Sequence, residues 1–404
     1  MRTRSGRLAL AGSVVTVAIA YLPWFTFAVF LQPLLETAEW SREAVTGIFS
    51  AYVITGGLVS PIVGSLLARA DPLKLQAFGA VALACGLAGA AASNDLWQLY
   101  LTYGVLAGIG SSFMGILPNY TAAVRVFPDA PGVALAVVGS GGNAGALLAV
   151  PIIQLLVLNH GWRGAMGILA AVSIAAIPLL VVRSRIRGIA GHPERWTPPA
   201  HEPAKFSNRL VSVVFGFFAA FAAFHLVFVH LIAMLFETGI DALSAATAVG
   251  VLGLIAIGSR LAAGVLLDRA PLRSVGRLVL WCAALGMTLV AAGLWHAAPG
   301  YLLWSGIVLL YAAYGGAAPL APFLTSNLVP PAAFAATYGF TQLGVTMGAA
   351  VGPLLGASAR EFSGSYFAAT LLGLCLLAAA WVSLHSAMRG ARETYMPDSH
   401  MTNA

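Results

Sequence analysis

Arg260 carries a full positive charge in the middle of an apolar stretch. It stands in a run from Leu243 to Leu267 that is otherwise uncharged. It lies eight residues before Asp268, which is about 12 Å along a helix at 1.5 Å per residue. A planar guanidinium holds a carboxylate through two parallel hydrogen bonds. We therefore expect Arg260 to bind an anionic substrate.

The alternative for Arg260 is a structural role. A long cationic side chain can reach towards a membrane surface, or it can bind carbonyl oxygens of neighbouring helices. An arginine at the centre of a membrane helix costs roughly 2.5–3.5 kcal/mol on insertion scales. No Asp or Glu lies at a similar depth in the apolar segments, so the sequence offers no counter-ion. We favour the binding role, because intramembrane charges usually face a watery cavity on a substrate path.

Uncharged polar residues in three other segments are candidates for the same cavity. Asn119 and Tyr120 are neighbours in the fourth segment, and the sequence does not decide which of them faces inward. Tyr338 and Gln342 are one helical turn apart and share a face. Asn143 lies in the Gly-rich fifth segment. For each, the alternative is a hydrogen bond between helices. Aromatic residues of the first segment are candidate walls, with packing as the alternative: Tyr21, Trp24 and Phe25.

Coupling to protons needs a group that titrates near neutral pH. His225 and His230 lie in the seventh segment, and histidine fits that range. Glu237 lies nearer the outer end of the same segment. The alternative for each histidine is a hydrogen-bonded side chain that never changes charge.

The composition requires a bilayer as part of the solvent. Of the 404 residues, 59% are hydrophobic and only 9% are charged, whereas a soluble domain carries about 25% charged residues. The net charge of +7 is spread over short loops, which argues against nucleic acid and for a polytopic membrane protein. We find no nucleotide-binding loop, nucleophile motif or metal-spaced cysteines, so we expect neither an enzyme nor a cofactor or metal.

Twelve apolar segments are long enough to cross a membrane, which takes about 20 residues each. Short loops with turn residues join them, except for one long connection rich in Pro and charge. That connection predicts a first bundle over residues 1–183, a cytoplasmic linker over 184–207, and a second bundle over 208–404 that ends in a short cytoplasmic tail. The segments are 10–33, 44–68, 73–93, 97–124, 131–158, 163–183, 208–236, 242–267, 274–296, 300–326, 333–358 and 365–387.

The basic residues agree with this count and orient the chain. If both termini are cytoplasmic, 17 basic residues fall inside and three outside, with Arg260 left over, as the positive-inside rule requires. Spanning segments that are helices, and not the strands of a β-barrel, further predict the cell inner membrane. The outside residues are Arg42, Arg163 and Arg360; the inside residues are Arg2, Arg4, Arg7, Arg69, Lys74, Arg125, Arg183, Arg185, Arg187, Arg195, Lys205, Arg209, Arg269, Arg273, Arg277, Arg389 and Arg392.

The two halves repeat each other in sequence. "SPIVGSLLAR" (60–69) aligns with "RLAAGVLLDR" (260–269), which pairs Gly64 with Gly264 and Arg69 with Arg269. Parallel repeats of six helices, with a substrate site between them near the midplane, are the plan of major facilitator transporters. We therefore predict an all-α membrane protein with the major facilitator fold.

Four stretches resemble bacterial relatives of the monocarboxylate transporters. They are "FLQPLLETAEWSREAVTGIFSAY" (30–52), "HGWRGAM" (160–166), "FVHLIAMLFETGIDALSAATAVG" (228–250) and "GSRLAAGVLLDR" (258–269). The chain is also similar to oxalate:formate antiporters. The resemblance implies transport of organic anions. It also implies gating at the loops around Gly64, Arg69, Gly264, Asp268 and Arg269.

Three departures from these families limit what the resemblance implies. The loop after the second helix carries Ala68 where the family has an acid, while the second copy keeps Asp268. Ala256 stands where animal monocarboxylate transporters carry an aspartate, so their proton-coupling pair does not carry over. The eleventh segment has no Lys or Arg before Arg360, unlike the oxalate:formate antiporters.

The sequence therefore predicts a secondary active transporter of small organic anions, first of all a proton-coupled monocarboxylate symporter that acts as a monomer. The runner-up is an exchanger of organic anions, and efflux of hydrophobic drugs comes third. A sensor built on a transporter scaffold is a further alternative, and it would need a soluble output domain. The expected partners are the anion, a proton and the lipid bilayer.

Overall fold

A computed structural model describes residues 4–37, 40–184, 207–237, 239, 242–295 and 300–389. In these ranges the chain is helical apart from short turns. The predicted linker (184–207) falls outside the described residues except for its first and last positions, and residues 390–404 of the predicted tail also lie outside them.

Twelve helices, α1 to α12, follow one another along the described chain. Seven are continuous, α5 and α6 run into each other, and three contain a break. In order they are α1 (Arg4–Ala20 and Leu22–Thr37), α2 (Arg42–Leu67), α3 (Pro72–Ala91), α4 (Leu96–Leu99, Tyr100–Ala107, Gly108–Met114 and Ile116–Val126), α5 and α6 (together Pro131–Ser184), α7 (Asn208–Phe228 and Leu231–Glu237), α8 (Ala242–Arg269), α9 (Leu272–Gly293), α10 (Gly300–Leu328), α11 (Phe334–Ser363) and α12 (Tyr366–Arg389).

The α5 and α6 helices run into each other without a loop. Among the described residues, eleven helical stretches are long and apolar enough to cross a membrane, and the stretch Pro131–Val181 has 51 residues. At 1.5 Å per residue it is roughly 76 Å long, more than twice the ~30 Å hydrocarbon core. Gly161 breaks it with φ 68° and ψ 172°, a backbone conformation that favours glycine. Among the described residues, the eleven stretches are therefore long enough for twelve crossings, the number that the sequence predicts.

Breaks within α1, α4 and α7 were not predicted from the sequence. In α4 the break lies at Gly115 (φ −76°, ψ −139°), three residues before Pro118. Proline has no backbone N–H, so Pro118 cannot donate to the carbonyl of Met114. The Asn119 amide supplies that missing donor, with hydrogen bonds of 3.0 Å to Met114 and 2.7 Å to Gly115. Discontinuous helices of this kind line cavities in transporters.

The two halves of the chain meet backbone to backbone at one end of the bundle, which we call the Asp268 end. A Cβ atom added to Gly132 in α5 would lie 2.5 Å from the carbonyl oxygen of Gly264 in α8. A Cβ atom on Gly64 in α2 would overlap the carbonyl oxygen of Ala335 in α11. Glycine is therefore required at these crossings, where the backbones touch.

Candidate substrate cavity

A cavity lies between the two halves, and Arg260 is part of its lining. The empty space between the lining atoms is about 770 Å³, some of it open to solvent. Helices α1, α4 and α5 of the first half and α7, α8, α10 and α11 of the second contribute residues. Of the six predicted binding residues, five line this cavity: Arg260, Tyr120, Asn143, Tyr338 and Gln342.

The Arg260 side chain is held at one of its three nitrogens. It is 5% exposed, and its Nη1 donates hydrogen bonds to the Gly139 carbonyl and to Asn143 Oδ1, the latter at 3.4 Å. Nε is buried and has no hydrogen-bond partner, and Nη2 makes no hydrogen bond either. No carboxylate among the described residues pairs with this guanidinium. The N–H groups of the Nε–Nη2 edge are therefore satisfied by no protein group among the described residues.

Polar side chains of α4 and α11 lie beside the guanidinium. The Tyr120 hydroxyl is buried without a partner, and it lies against Gly139, whose carbonyl accepts the Arg260 hydrogen bond. The Tyr338 hydroxyl donates to Gln342 Oε1 at 2.9 Å, which confirms that these two residues share a face. The Gln342 amide in turn donates to Thr346 at 3.2 Å. These bonds fix the amide of Gln342 at the cavity wall.

Aromatic side chains form much of the remaining wall. Tyr21, Trp24 and Phe25 of α1 line the cavity, as the sequence suggested. Phe221 of α7 and Tyr314 of α10 also line it, with ring centroids 5.6 Å apart. The sequence analysis missed these two residues. For Tyr314 a signal existed, because it stands directly before a Gly-Gly pair in a helix with two prolines.

The two histidines of α7 occupy different places. His225 lines the cavity, and its Nδ1 lies 2.9 Å from the carbonyl oxygen of Phe221. His230 lies at the break in α7, where its Nε2 is 2.9 Å from the carbonyl oxygen of Pro353 in α11, and it is not part of the cavity lining. The side chain of Glu237 lies outside the described residues. Of the two histidines, His225 therefore shares the cavity lining with Arg260 and His230 does not.

Asn119 lies outside the cavity lining, unlike the other five predicted binding residues. It is fully buried. Both hydrogen bonds of its side-chain nitrogen go to the backbone at the break in α4. Its neighbour Tyr120 faces the cavity instead, because adjacent residues of a helix point about 100° apart.

A smaller hydroxyl-rich compartment continues from the cavity between α2, α4 and α11. It shares Tyr21, Trp24 and Gln342 with the main cavity and adds Tyr52 and Ser111, whose hydroxyl groups are 2.7 Å apart. Sequence reasoning missed this compartment. Its hydroxyl groups are spread over three helices without a spacing that would reveal them.

Asp268 joins the two halves at the Asp268 end. Its carboxylate accepts hydrogen bonds from the backbone N–H groups of Gly132 (2.6 Å) and Val133 (2.8 Å), in the first turn of α5. A negative charge at a helix N-terminus is favourable. The two arginines of the predicted gating set, Arg69 and Arg269, are exposed. They make no side-chain hydrogen bond in the part of the chain that the structure describes.

A helical bundle that crosses the membrane twelve times around a charged cavity between two halves is the architecture of a secondary transporter, not of an enzyme. The chain belongs to the Major Facilitator Superfamily, whose family model matches residues 14–353. It is a multi-pass membrane protein of that family.

Three named transporters resemble the chain in sequence. The chain is 29% identical to human monocarboxylate transporter 11, over 85% of this chain and 74% of that one. It is 27% identical to rat monocarboxylate transporter 13, over 88% of this chain and 83% of that one. It is 31% identical to the uncharacterized MFS-type transporter YcxA of Bacillus subtilis, over 39% of this chain and 38% of that one.

Solved structures share the fold at low sequence identity. The human organic anion transporter MFSD10 superimposes with a TM-score of 0.74 at 15% identity, covering 96% of this chain and all of that one. The Escherichia coli fucose:proton symporter FucP gives a TM-score of 0.73 at 14% identity, with 95% of this chain and 99% of that one covered. At these identities the likeness concerns the fold alone.

Proposed function

We propose that this transporter carries a small organic anion, a monocarboxylate, together with a proton across the cell inner membrane. The observation that carries the proposal is the unpaired Nε–Nη2 edge of Arg260 in a cavity between the two halves. A guanidinium offers two parallel N–H donors along such an edge, which match the two oxygens of a carboxylate. The substrate would supply the negative charge that the protein lacks at this place.

The surroundings of Arg260 support a single carboxylate. Nη1 is bound to Gly139 and Asn143, which leaves the donors of the opposite edge for a substrate carboxylate. The free Tyr120 hydroxyl beside Gly139 supplies a third donor. Among the residues that line the cavity, Arg260 is the only Lys or Arg. One fixed cation suits a monoanion better than a dianion. The similarity to two monocarboxylate transporters supports the same class.

Proton coupling requires a titratable side chain at the cavity. No Asp or Glu lines the cavity, whereas His225 does. A histidine is the side chain whose ordinary pKa lies nearest to neutral pH. We propose that His225 takes up the co-transported proton, and that His230 does not.

Alternating access would proceed by movement of the two halves against each other. The closed Asp268 end would be the cytoplasmic end, in agreement with the excess of basic residues in the loops there. The units that move would be residues 1–183 and 208–404, with 184–207 as the linker between them, and each monomer would work alone. In the closed arrangement, α5 meets α8 at Gly132 and Gly264, and α2 meets α11 at Gly64.

Ligand-dependent thermal stability of the purified protein tests the anion site. A ligand at about 100 times its dissociation constant adds roughly 2.7 kcal/mol to the folded state. We expect monocarboxylates to raise the melting temperature of the wild type, and Arg260→Gln to remain folded but lose the response. Arg163→Gln is the control, because Arg163 binds the carbonyl of Ser93 at 2.9 Å, far from the cavity lining. An equal response in wild type and Arg260→Gln would refute the proposal.

Uptake into proteoliposomes separates symport from exchange. A symporter accumulates the anion when an inward proton gradient is imposed on empty vesicles. An exchanger ignores the gradient and needs a second anion inside. Stabilisation by neutral or cationic drugs instead of carboxylates would favour the efflux alternative.

A further inference from the structure

The cavity wall presents aromatic rings from both halves of the chain. On the first half, Tyr21 of α1 packs against Trp24 and Phe25 with ring centroids 6.2 and 6.3 Å apart. On the second half, Tyr314 of α10 packs against Phe221 of α7 at 5.6 Å. All five rings line the cavity that contains Arg260. Their arrangement gives the site two aromatic faces in addition to its one cation.

Small residues keep space open beside these rings. Gly142, Ala318, Ala321 and Ala349 line the same cavity and carry at most a methyl group. The rings belong to α1, α7 and α10. An acid with three carbons bound at Arg260 would therefore leave most of this ring surface without a ligand contact.

We infer that the substrate is an aromatic monocarboxylate, whose carboxylate binds Arg260 and whose ring packs among the rings of α1, α7 and α10. This inference rests on the proposed function, because it takes the anion site at Arg260 as given. Aromatic rings prefer offset or edge-to-face neighbours with centroids 4.5–7 Å apart, which is the spacing that the wall residues already keep among themselves. A ligand ring would extend this cluster, whereas a saturated chain would only fill volume.

The polar groups of the cavity agree with a ligand of this shape. The donors that suit a carboxylate, Arg260 and Tyr120, lie together at Gly139. Two further polar lining side chains, Tyr338 and Gln342, are already hydrogen-bonded. The site thus combines one anion-binding point with an aromatic wall, which is the complement of an aryl acid.

Dissociation constants for four matched ligands test the inference on the purified full-length protein. Phenylacetate carries a carboxylate and an aromatic ring, cyclohexylacetate a saturated ring of similar size, propionate no ring, and phenylacetamide no charge. We expect phenylacetate to bind at least tenfold more tightly than propionate, which corresponds to 1.4 kcal/mol, and about threefold more tightly than cyclohexylacetate. Phenylacetamide should not bind.

The same substitution, Phe to Leu, is compared at the cavity wall and on the outer surface. Phe25 lines the cavity, is half-buried and pairs only with Tyr21 among the recorded ring contacts, so Phe25→Leu should leave the fold intact. It should weaken the binding of phenylacetate about three times more than the binding of propionate. Phe362, which is 90% exposed on α11, provides the control Phe362→Leu, and this variant should bind all ligands as the wild type does.

The outcomes separate the anion site at Arg260 from the aromatic wall of the cavity. If propionate or cyclohexylacetate binds as tightly as phenylacetate, and Arg260→Gln abolishes that binding, the aromatic inference is wrong and the anion site stands. If phenylacetamide binds as well as phenylacetate, or Arg260→Gln binds phenylacetate normally, the proposed function itself is wrong. A loss of phenylacetate affinity in Phe362→Leu equal to that in Phe25→Leu would also overturn the aromatic inference.

Discussion

The carboxylate of Asp268 caps the first turn of α5 from the opposite half of the molecule, with its Oδ1 atom 2.6 Å from the backbone nitrogen of Gly132. The second oxygen accepts from the next N–H group, that of Val133, at 2.8 Å. The corresponding crossing of α2 and α11 has no such bond. Ala68 replaces the acid there, and the first turn of α11 has no side-chain cap. A carboxylate therefore holds the crossing of α5 and α8, whereas the equivalent crossing of α2 and α11 lacks one.

Asp268→Asn should loosen this closure. An amide has one acceptor oxygen, so one of the two N–H groups would face an NH2 group, and the favourable charge at the helix N-terminus would be lost. Helix caps contribute about 0.5–2 kcal/mol. Spin labels at the exposed positions Lys74 and Arg277 should report longer distances in the variant, and uptake should fall.

Asp71→Asn is the control for this substitution. Asp71 caps its own helix, α3, through Leu73 at 2.9 Å and makes no bond to the other half. Asparagine is also a good cap residue at that place. Unchanged distances in Asp268→Asn, or equal changes in both variants, would show that the cap does not hold the halves together.

Gly264→Ala should disturb the same crossing by steric contact. Its Cβ atom would lie 2.5 Å from the Cβ atom of Ala136 and 2.6 Å from the carbonyl oxygen of Gly132. We expect reduced uptake and a lower melting temperature. Gly258→Ala in the same helix is matched in chemistry, but nothing lies within 4 Å of the added atom. It should keep full uptake, with a helix-propensity gain of about 1 kcal/mol at most, and a loss of uptake there would argue against a steric cause.

Periodicity and charge predicted the parts of the fold that depend on the bilayer. Three features follow from helical geometry in an apolar solvent. They are the apolar run around Arg260, the twelve crossings and the shared face of Tyr338 and Gln342. The break at Gly115 could not be predicted in the same way. It depends on which neighbouring group replaces the N–H that Pro118 lacks. From the sequence, Asn119 could either bind substrate or make a structural hydrogen bond.

Tertiary contacts decided the rest of the site. His225 and His230 are five residues apart and look alike in sequence, yet only His225 lines the cavity. The difference arises at the break in α7, where His230 turns to the carbonyl of Pro353 in α11. Phe221 and Tyr314 were missed because aromatic residues in a membrane helix are common, and only packing shows which of them face a cavity.

Asn143→Asp should give Arg260 an internal counter-ion. The Asn143 side-chain oxygen lies 3.4 Å from Nη1 of Arg260, so an aspartate there would neutralise the guanidinium before a substrate arrives. We expect at least tenfold weaker binding of monocarboxylates, measured by isothermal titration, with the fold preserved. Asn159→Asp is the control, because Asn159 is exposed and bonds only to its own helix through Leu155. Undiminished binding in Asn143→Asp would place the anion elsewhere.

His225→Gln should uncouple transport from the proton gradient. Glutamine keeps a hydrogen-bonding side chain near the carbonyl of Phe221 but does not titrate. We expect gradient-driven accumulation to be lost, while exchange of labelled for unlabelled substrate continues. His230→Gln should keep the gradient-driven uptake, because His230 does not line the cavity. The opposite result would assign coupling to the α7–α11 contact.

Asn119→Leu should act on stability and not on substrate affinity. The leucine has a similar size but cannot donate to the carbonyls of Met114 and Gly115, which the Asn119 amide satisfies at 3.0 and 2.7 Å. Leaving buried carbonyls without a partner costs about 1–3 kcal/mol, so the melting temperature should fall. Asn159→Leu removes the same kind of bond at an exposed site, where water replaces the amide, and should change little. If Asn119→Leu instead keeps its melting temperature and loses only the response to carboxylates, Asn119 belongs to the binding site after all, and the break in α4 does not need its amide.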